Sequence, residues 1–416
     1  MGNRDGLDKR PRPAKAGLVV ALLMLMSACA SAPPFQPQAL PYEAALRARA
    51  VTKVEDDVRI SATIPTREES LAIFGIDLGE RDILPLWLEI ENRGKERFFF
   101  LPTGLDPEYF APLEAAFLYK EAVSDHAALG RHLQNLCFDS RAPIAPGTTE
   151  SGFIFINAVE PSLVAQIDLF GWRWSKRFSL TVLVPGAENA RNRVAQTHAL
   201  YAPADLIEIS DDARLREALE ALPCCTTDGT GAGQGLPLNL VLIGDLEEAG
   251  SAFVRRGYRY SPADPLYALG RVHDLSIRKR SRWVAAQPHT LRFWLTPLLY
   301  RGKPIWVAQV SARFGGRFAE PAGETQTTEP AVDDARNDIV QDLLYSQSVA
   351  KLGFVKGVGH VAVATPRTAQ DGSGYHTDGL RAVMVFRSEA ISLSEIDFFE
   401  WQVLSPAIVD KRSTAE

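Results

Sequence analysis

The chain has 416 residues, 46% hydrophobic and 23% charged, a globular composition with room for two domains. Its formal net charge of -6 at pH 7 argues against nucleic acid as a partner, because such binding wants a basic surface.

The N-terminus is basic, with Arg4, Lys9, Arg10, Arg12 and Lys15, and an apolar run from Ala16 to Leu25 follows. That layout predicts an export signal, too short for a comfortable transmembrane span. Met26-Ser27-Ala28-Cys29 resembles a lipobox, with Met26 where leucine is usual. The resemblance implies a signal peptide over 1–28 and a diacylated Cys29. An ordinary secretory signal cut at Ala28 or Ala30 is the competing reading. Ala30 takes the place of the aspartate that commonly retains lipoproteins at the inner membrane. The expected location is therefore the outer membrane, facing the periplasm. Residues 29–50 are read as the lipidated cysteine and a Pro-rich tether, from Ala30-Ser-Ala-Pro-Pro-Phe-Gln-Pro-Gln38.

From 51 to 190 the pattern is of short strands. Val58–Ile64 alternates apolar with polar residues, and Leu84, Leu86, Leu88 and Ile90 share one face of the next strand. Asn92-Arg93-Gly94 predicts a hairpin turn into Arg97–Leu101. Gly152–Ile156, Val164–Phe170 and Phe178–Val184 read as further strands, with Trp172 and Trp174 expected in the core. One helix capped by Ser124 carries Leu129, Leu133, Leu136 and Cys137 on its apolar face. The region resembles bacterial immunoglobulin-like envelope sandwiches in architecture, without the Cys–Trp–Cys signature. Residues 191–209 are read as a linker.

The second domain, 210–400, opens with a helix capped by Ser210 and stopped by Pro223. Gly229–Gly235 lacks the Gly-Lys-Ser/Thr ending of a phosphate loop and reads as a connector. Strands follow at Leu238–Ile243, Leu266–Arg278, Thr290–Leu299, Ile305–Ala312, Phe354–Val358 and Leu380–Phe386, with helices at Asp245–Arg256 and Val332–Tyr345. This order predicts an α+β domain with helices on one face of a largely antiparallel sheet. Residues 401–416 form a tail.

Beyond Cys29 the cysteines are Cys137, Cys224 and Cys225. A structural disulfide from Cys137 to Cys224 or Cys225 is favoured over metal or redox chemistry, and a vicinal Cys224–Cys225 bond stays open. No metal-ligand spacing is present, and no cofactor is expected.

Leu266-Tyr-Ala-Leu-Gly-Arg-Val-His-Asp-Leu275, His289-Thr-Leu-Arg-Phe-Trp294, Pro304-Ile-Trp-Val307, Val332-Asp-Asp-Ala-Arg336 and Tyr375-His-Thr-Asp-Gly379 occur in order. With Leu238–Gly244 before them, they resemble the LssY C-terminal domain over about 236–388. The matching polar positions are Arg271, Asp274, His289, Arg292, Asp333, Arg336, Tyr375, Thr377 and Asp378. This chain departs from the family at His289-Thr290, where paired histidines are usual. It departs again at Thr327-Thr-Glu-Pro330, where a histidine is usual before the acidic residue.

Two functions compete. The first is a membrane-anchored, non-catalytic binding or assembly module whose partner is an envelope protein or anionic lipid. The basic run Arg278-Lys-Arg-Ser-Arg-Trp283 is the candidate lipid contact. The second is a phosphate- or acyl-ester hydrolase in which His289 and Asp274, with Arg292, Asp333 and Arg336, converge on one cleft. No GxSxG nucleophile motif supports it. A redox protein using Cys224–Cys225 ranks third.

Overall fold

A computed structural model describes residues 41–158, 162–186, 200–279, 290–313, 330–369, 372 and 374–401. The expected signal peptide over 1–28, Cys29, Ala30–Gln38, most of the basic run 278–283, His289 and the residues from 402 lie outside the described residues. The chain folds mostly into β-sheets, antiparallel and mixed, with helices packed on them.

In the first half, β1 (Val51–Glu55), β2 (Val58–Thr63), β3 (Ile83–Asn92) and β5 (Thr149–Asn157) form an antiparallel sheet. A second antiparallel sheet contains β4 (Phe99–Leu101), β6 (Ser162–Gly171) and β7 (Trp174–Leu183). Ile60, Leu86, Leu88, Ile90 and Ile154 from the first sheet pack against Leu163, Ile167, Leu169, Phe178 and Leu180 from the second. Successive strand residues point to opposite faces, so Ile83, Trp87, Phe153 and Phe155 emerge on the other side of the first sheet. There they meet α1 (Glu43–Arg49), α2 (Arg67–Phe74), α4 (Pro112–Phe117) and α5 (His126–Leu136), while α3 (Pro102–Leu105) follows β4.

Four local expectations change here. Asn92-Arg93-Gly94 does not make a hairpin, because β4 pairs with β6 and the chain crosses to the other sheet. Asn92 directs this crossing by donating to the Glu96 and Ile144 carbonyls at 2.8 and 3.1 Å. Trp172 is 78% exposed, and Trp174 is only half-buried against Phe98, so neither is a central core residue. Asp125, not Ser124, caps α5 by accepting from Ala128 N at 2.8 Å. Residues 43–49, expected within the tether, form a helix that buries Leu46 and places Arg47 on buried Glu89 at 2.6 Å.

In the second half, among the described residues, ten strands share one sheet. Its path is β10 (Tyr258–Tyr260), β13 (Leu275–Lys279), β14 (Thr290–Tyr300), β15 (Lys303–Arg313), β9 (Leu240–Ile243), β20 (Leu380–Phe386), β17 (Val349–Lys356) and β21 (Asp397–Phe398). β8 (Ile207–Ile209) joins β14, and β16 (Pro330–Ala331) joins β15. The pairs β9/β20, β8/β14 and β17/β21 are parallel; the other pairs are antiparallel. The expected strand over Leu266–Arg278 is instead the hairpin β11 (Tyr267–Ala268) and β12 (Arg271–Val272), followed by β13.

Helices cover both faces of this sheet, not one. Leu240, Leu242, Ala382 and Met384 face α7 (Leu246–Arg255) and α8 (Val332–Leu344) through Ala252, Phe253, Ala335 and Ile339. The alternate residues Val241, Ile243 and Val383 meet Leu215 and Leu219 of α6 (Asp212–Glu220). Apolar residues at every position of β9 carry this arrangement, since only a strand buried on both faces needs them. Asp211, beyond the expected Ser210, caps α6 by accepting from Arg214 N at 2.8 Å.

Candidate functional site

The polar positions singled out by the sequence fall into separate bonded groups. Arg271 follows the turn of the β11–β12 hairpin and reaches Asp274 just before β13. Its Nε and Nη2 donate to Asp274 Oδ1 and Oδ2 at 3.1 and 2.7 Å. Nη2 also donates to the Leu295 carbonyl at 2.7 Å, and Nη1 to Tyr201 Oη at 3.2 Å. Asp274 Oδ2 accepts a further bond from Leu295 N at 2.7 Å. Burial works against the Arg271 charge, but Asp274 outweighs it and the guanidinium is held above its ordinary range. The fork therefore clasps the hairpin to β14.

The second group joins the start of α8 to the loop before β20. Arg336, 2% exposed, donates through Nη1 and Nη2 to Asp378 Oδ1 and Oδ2 at 2.8 and 2.9 Å, and to the Leu380 carbonyl at 2.9 Å. Asp333 accepts from Thr377 Oγ1 at 2.8 Å and from Asp378 N at 2.7 Å. The expected helical pair Asp333–Arg336 is present at 3.4 Å, although Asp378 takes the better geometry. Burial, then the neighbouring Asp378 charge, raises the Asp333 carboxyl above the usual carboxylate range.

Arg292 belongs to neither group. It lies on β14 and donates to Gln309 Oε1 at 3.4 Å, while its buried Nε has no partner among the described residues. Burial lowers its pKa, with Asp264 the charge opposing that shift. Nearby His273 accepts from Leu266 N through Nδ1 at 3.4 Å, and burial followed by Arg292 lowers its pKa. Hence the imidazole is neutral near pH 7. Among the described residues Arg292 shares no hydrogen bond with Arg271, Asp274, Asp333 or Arg336, so they do not form the single bonded cleft expected from the sequence. His289 lies outside the described residues.

Tyr375 is fully buried and donates to the Gly235 carbonyl at 3.3 Å. Its hydroxyl also lies 3.9 Å from Cys225 Sγ. Cys225 is disulfide-bonded to Cys224. Cys137 is instead a free thiol that donates to the Phe153 carbonyl at 3.0 Å, and burial pushes its pKa up to about 11. Of the two pairings left open by the sequence, the vicinal one is formed and the long-range one from Cys137 is not. Among the described residues, no group of three or more His, Cys, Asp or Glu could hold a metal ion.

Sequence reasoning missed a charged seam between the two halves. Asp168 on β6 accepts from Arg177 Nε at 3.1 Å and from Arg255 Nη1 at the end of α7. Arg177 also donates to the Gln347 carbonyl and Ser348 Oγ, both at 3.1 Å. Deeper in, Arg259 Nη2 meets Asp106 Oδ1 at 2.8 Å, with both side chains almost wholly buried. A cavity of about 350 Å³ opens beside Asp168, Arg177 and Arg255. Gly104 admits this packing: a Cβ there would sit 2.3 Å from Asp168 Oδ2. Charged residues inside alternating strands were the available signal, but their partners lie in the other half of the chain.

No curated protein matches the chain. Residues 245–380 match the family described as LssY C-terminus. The match begins at Asp245, the N-cap of α7, and takes in both the Arg271–Asp274 and Asp333–Arg336–Asp378 groups. The similarity to that family thus falls within the large mixed sheet of the second half.

Proposed function

We propose that this chain is an envelope lipoprotein, anchored by Cys29, in which an immunoglobulin-like sandwich carries a non-catalytic binding or assembly domain. The observation behind the second part is the use already made of the shared polar residues. Each Asp274 oxygen accepts from Arg271, and Oδ2 from Leu295 N as well, while both Arg336 terminal nitrogens donate to Asp378 and neighbouring acceptors. A general base needs a lone pair directed at substrate, and a transition-state clamp needs donors left free for developing charge. Residues committed in this way fix loops to the sheet. The hydrolase alternative places its chemistry on His289, with Asp274 as its carboxylate, whereas the bonds that Asp274 accepts among the described residues come from Arg271 and Leu295 N.

The two facing sheets of the first half, with their shared apolar core, support the sandwich reading. Its role is to hold the second domain away from the lipid surface. We place the protein at the outer membrane, facing the periplasm, with an envelope protein or anionic lipid as partner.

Two measurements test this proposal. Metabolic labelling with a fatty acid is expected to mark wild type and not Cys29→Ala; equal label on both would overturn the anchor. Purified protein is expected to leave chromogenic phosphomonoesters and acyl esters intact. Turnover that disappears in His289→Ala would replace the binding module with the hydrolase.

A further inference from the structure

A disulfide stabilises mainly by closing a loop in the unfolded chain, and the effect grows with loop length. Cys224 and Cys225 are adjacent, so their bond closes almost nothing. The surrounding backbone is held by other means. Arg381 donates to the Leu222 and Pro223 carbonyls immediately before the pair, and to Leu219, Leu238 and Gly357. On the other side, Leu238 N donates to the Cys224 carbonyl at 2.8 Å and Thr226 N to the Leu236 carbonyl at 2.9 Å. The turn thus has its own scaffold, and the sulfur–sulfur bond is redundant as a staple.

The two sulfurs differ in their surroundings. Cys224 is partly exposed, whereas Cys225 is 4% exposed. Cys225 Sγ lies 3.9 Å from Arg367 Nη1 and 3.9 Å from Tyr375 Oη. Arg367 stands on β18 (Arg367–Thr368), paired with β19 (Gly374–Tyr375), which carries the tyrosine. A guanidinium and a hydroxyl beside one sulfur favour its thiolate over the thiol. In thiol–disulfide exchange the sulfur that departs as the better thiolate leaves faster.

We propose that Cys224–Cys225 is a thiol–disulfide exchange site for an external dithiol, with Cys224 attacked and Cys225 leaving. A thiolate of the dithiol bonds to Cys224 Sγ. The Cys224–Cys225 bond breaks, and its electron pair goes to Cys225 Sγ between Arg367 and Tyr375. The second thiol of the dithiol then attacks its own sulfur in the mixed disulfide and releases Cys224 as thiolate. Protonation completes the change: the pair gains two electrons and two protons, and the dithiol becomes a disulfide. A second disulfide, entering by the reverse of these steps, takes back the two electrons and two protons and re-forms the Cys224–Cys225 bond; such an oxidant belongs to an oxidising compartment, so the inference rests on the export reading.

The test uses the full chain purified from membranes in detergent, with free thiols blocked at lysis. Mass analysis is expected to find Cys224 and Cys225 bonded and Cys137 free. Recovery of the pair as thiols in a chain that carries the Cys29 lipid overturns the exchange site and leaves the anchor standing. Dithiothreitol is expected to reduce the pair under native conditions while Cys137 stays unalkylated; reduction only when Cys137 also becomes reactive overturns the proposal. A monothiol, 2-mercaptoethanol, is expected to form its trapped adduct on Cys224, and an adduct on Cys225 reverses the assigned roles. Arg367→Gln is expected to slow native reduction about three- to tenfold by raising the leaving thiol's pKa, and Arg367→Lys to restore most of the rate. An unchanged Arg367→Gln rate removes the thiolate pocket from the proposal.

Discussion

Arg381 sits in the middle of the apolar run of β20, is fully buried, and spends its guanidinium on the carbonyls of Leu219, Leu222, Pro223, Leu238 and Gly357. One of these carbonyls, that of Leu219, lies in the last turn of α6, where a helix leaves its last acceptors unsatisfied and presents the negative end of its dipole. Burial lowers the Arg381 pKa to about 10. A base with a depressed folded-state pKa titrates differently from the unfolded chain only above that value, so its contribution is flat across neutral pH. Arg381→Gln reaches fewer of these acceptors, and each one stranded costs about 1–3 kcal/mol. The expected result is a loss of at least about 3 kcal/mol in urea unfolding, equal at pH 6 and pH 8. The sequence displayed the arginine among Leu380, Ala382, Val383 and Met384, but its acceptors are backbone groups distributed along the chain. By contrast, the Asp333–Arg336 pair was legible because both partners belong to one helix, while Asp378, which binds the same arginine more closely, was not.

The elements were most legible where one periodicity ruled. β2, β14, β15, α7 and α8 appear close to their predicted limits, since each shows one apolar face or an uninterrupted apolar run. β3 was also found, but its second buried face was not. Trp87 points away from Leu86 and Leu88 into a helical layer of which the sequence reading had only α5. Thr66 and Glu69 form a capping box at α2, with bonds of 3.2 and 2.8 Å, and that spacing was present in the sequence. What could not be read is how elements are joined side chain to side chain. Asp342 on α8 accepts from Arg256 after α7 at 3.1 and 2.9 Å, from Tyr258 of β10 at 3.0 Å, and from Lys279 of β13. Burial alone would raise this carboxyl, but the Lys279 and Arg256 bonds outweigh it and hold it below the ordinary range. An acid with a lowered folded-state pKa stabilises the fold above its unfolded pKa, and that contribution is lost as pH falls through the folded value. Asp342→Asn is therefore expected to lose about 1–3 kcal/mol at pH 7 and to show a shallower loss than wild type below about pH 4. Parallel slopes for the two proteins in acid would remove Asp342 from the acid limb.

At the scale of the whole molecule, the large charged side chains at the junction decide how the halves unfold. Each half has its own apolar core, which is the condition for independent folding. Yet Asp168 of the first half holds Arg255 of the second, Asp106 holds Arg259, and Arg177 reaches back to Gln347 and Ser348. The side chains of Arg177 and Arg255 are only 2% and 13% exposed. Removing the shared carboxylate leaves two largely buried guanidinium groups without their charge partner, a cost of about 3–5 kcal/mol. Cutting the chain before Leu206 has a different effect, because water then reaches the arginines on the exposed face of α7 and β10. The fragment from Leu206 onward is expected to fold, with a melting temperature below that of the intact chain. The intact wild type is expected to melt in one calorimetric transition, since neither half opens without disrupting the seam. In Asp168→Ala the transition should split, with one component melting near the temperature of the isolated fragment. A single transition in Asp168→Ala at the wild-type temperature would mean that apolar contact, and not this charge cluster, couples the halves; a fragment that fails to fold would make the first half a required part of the second domain's core.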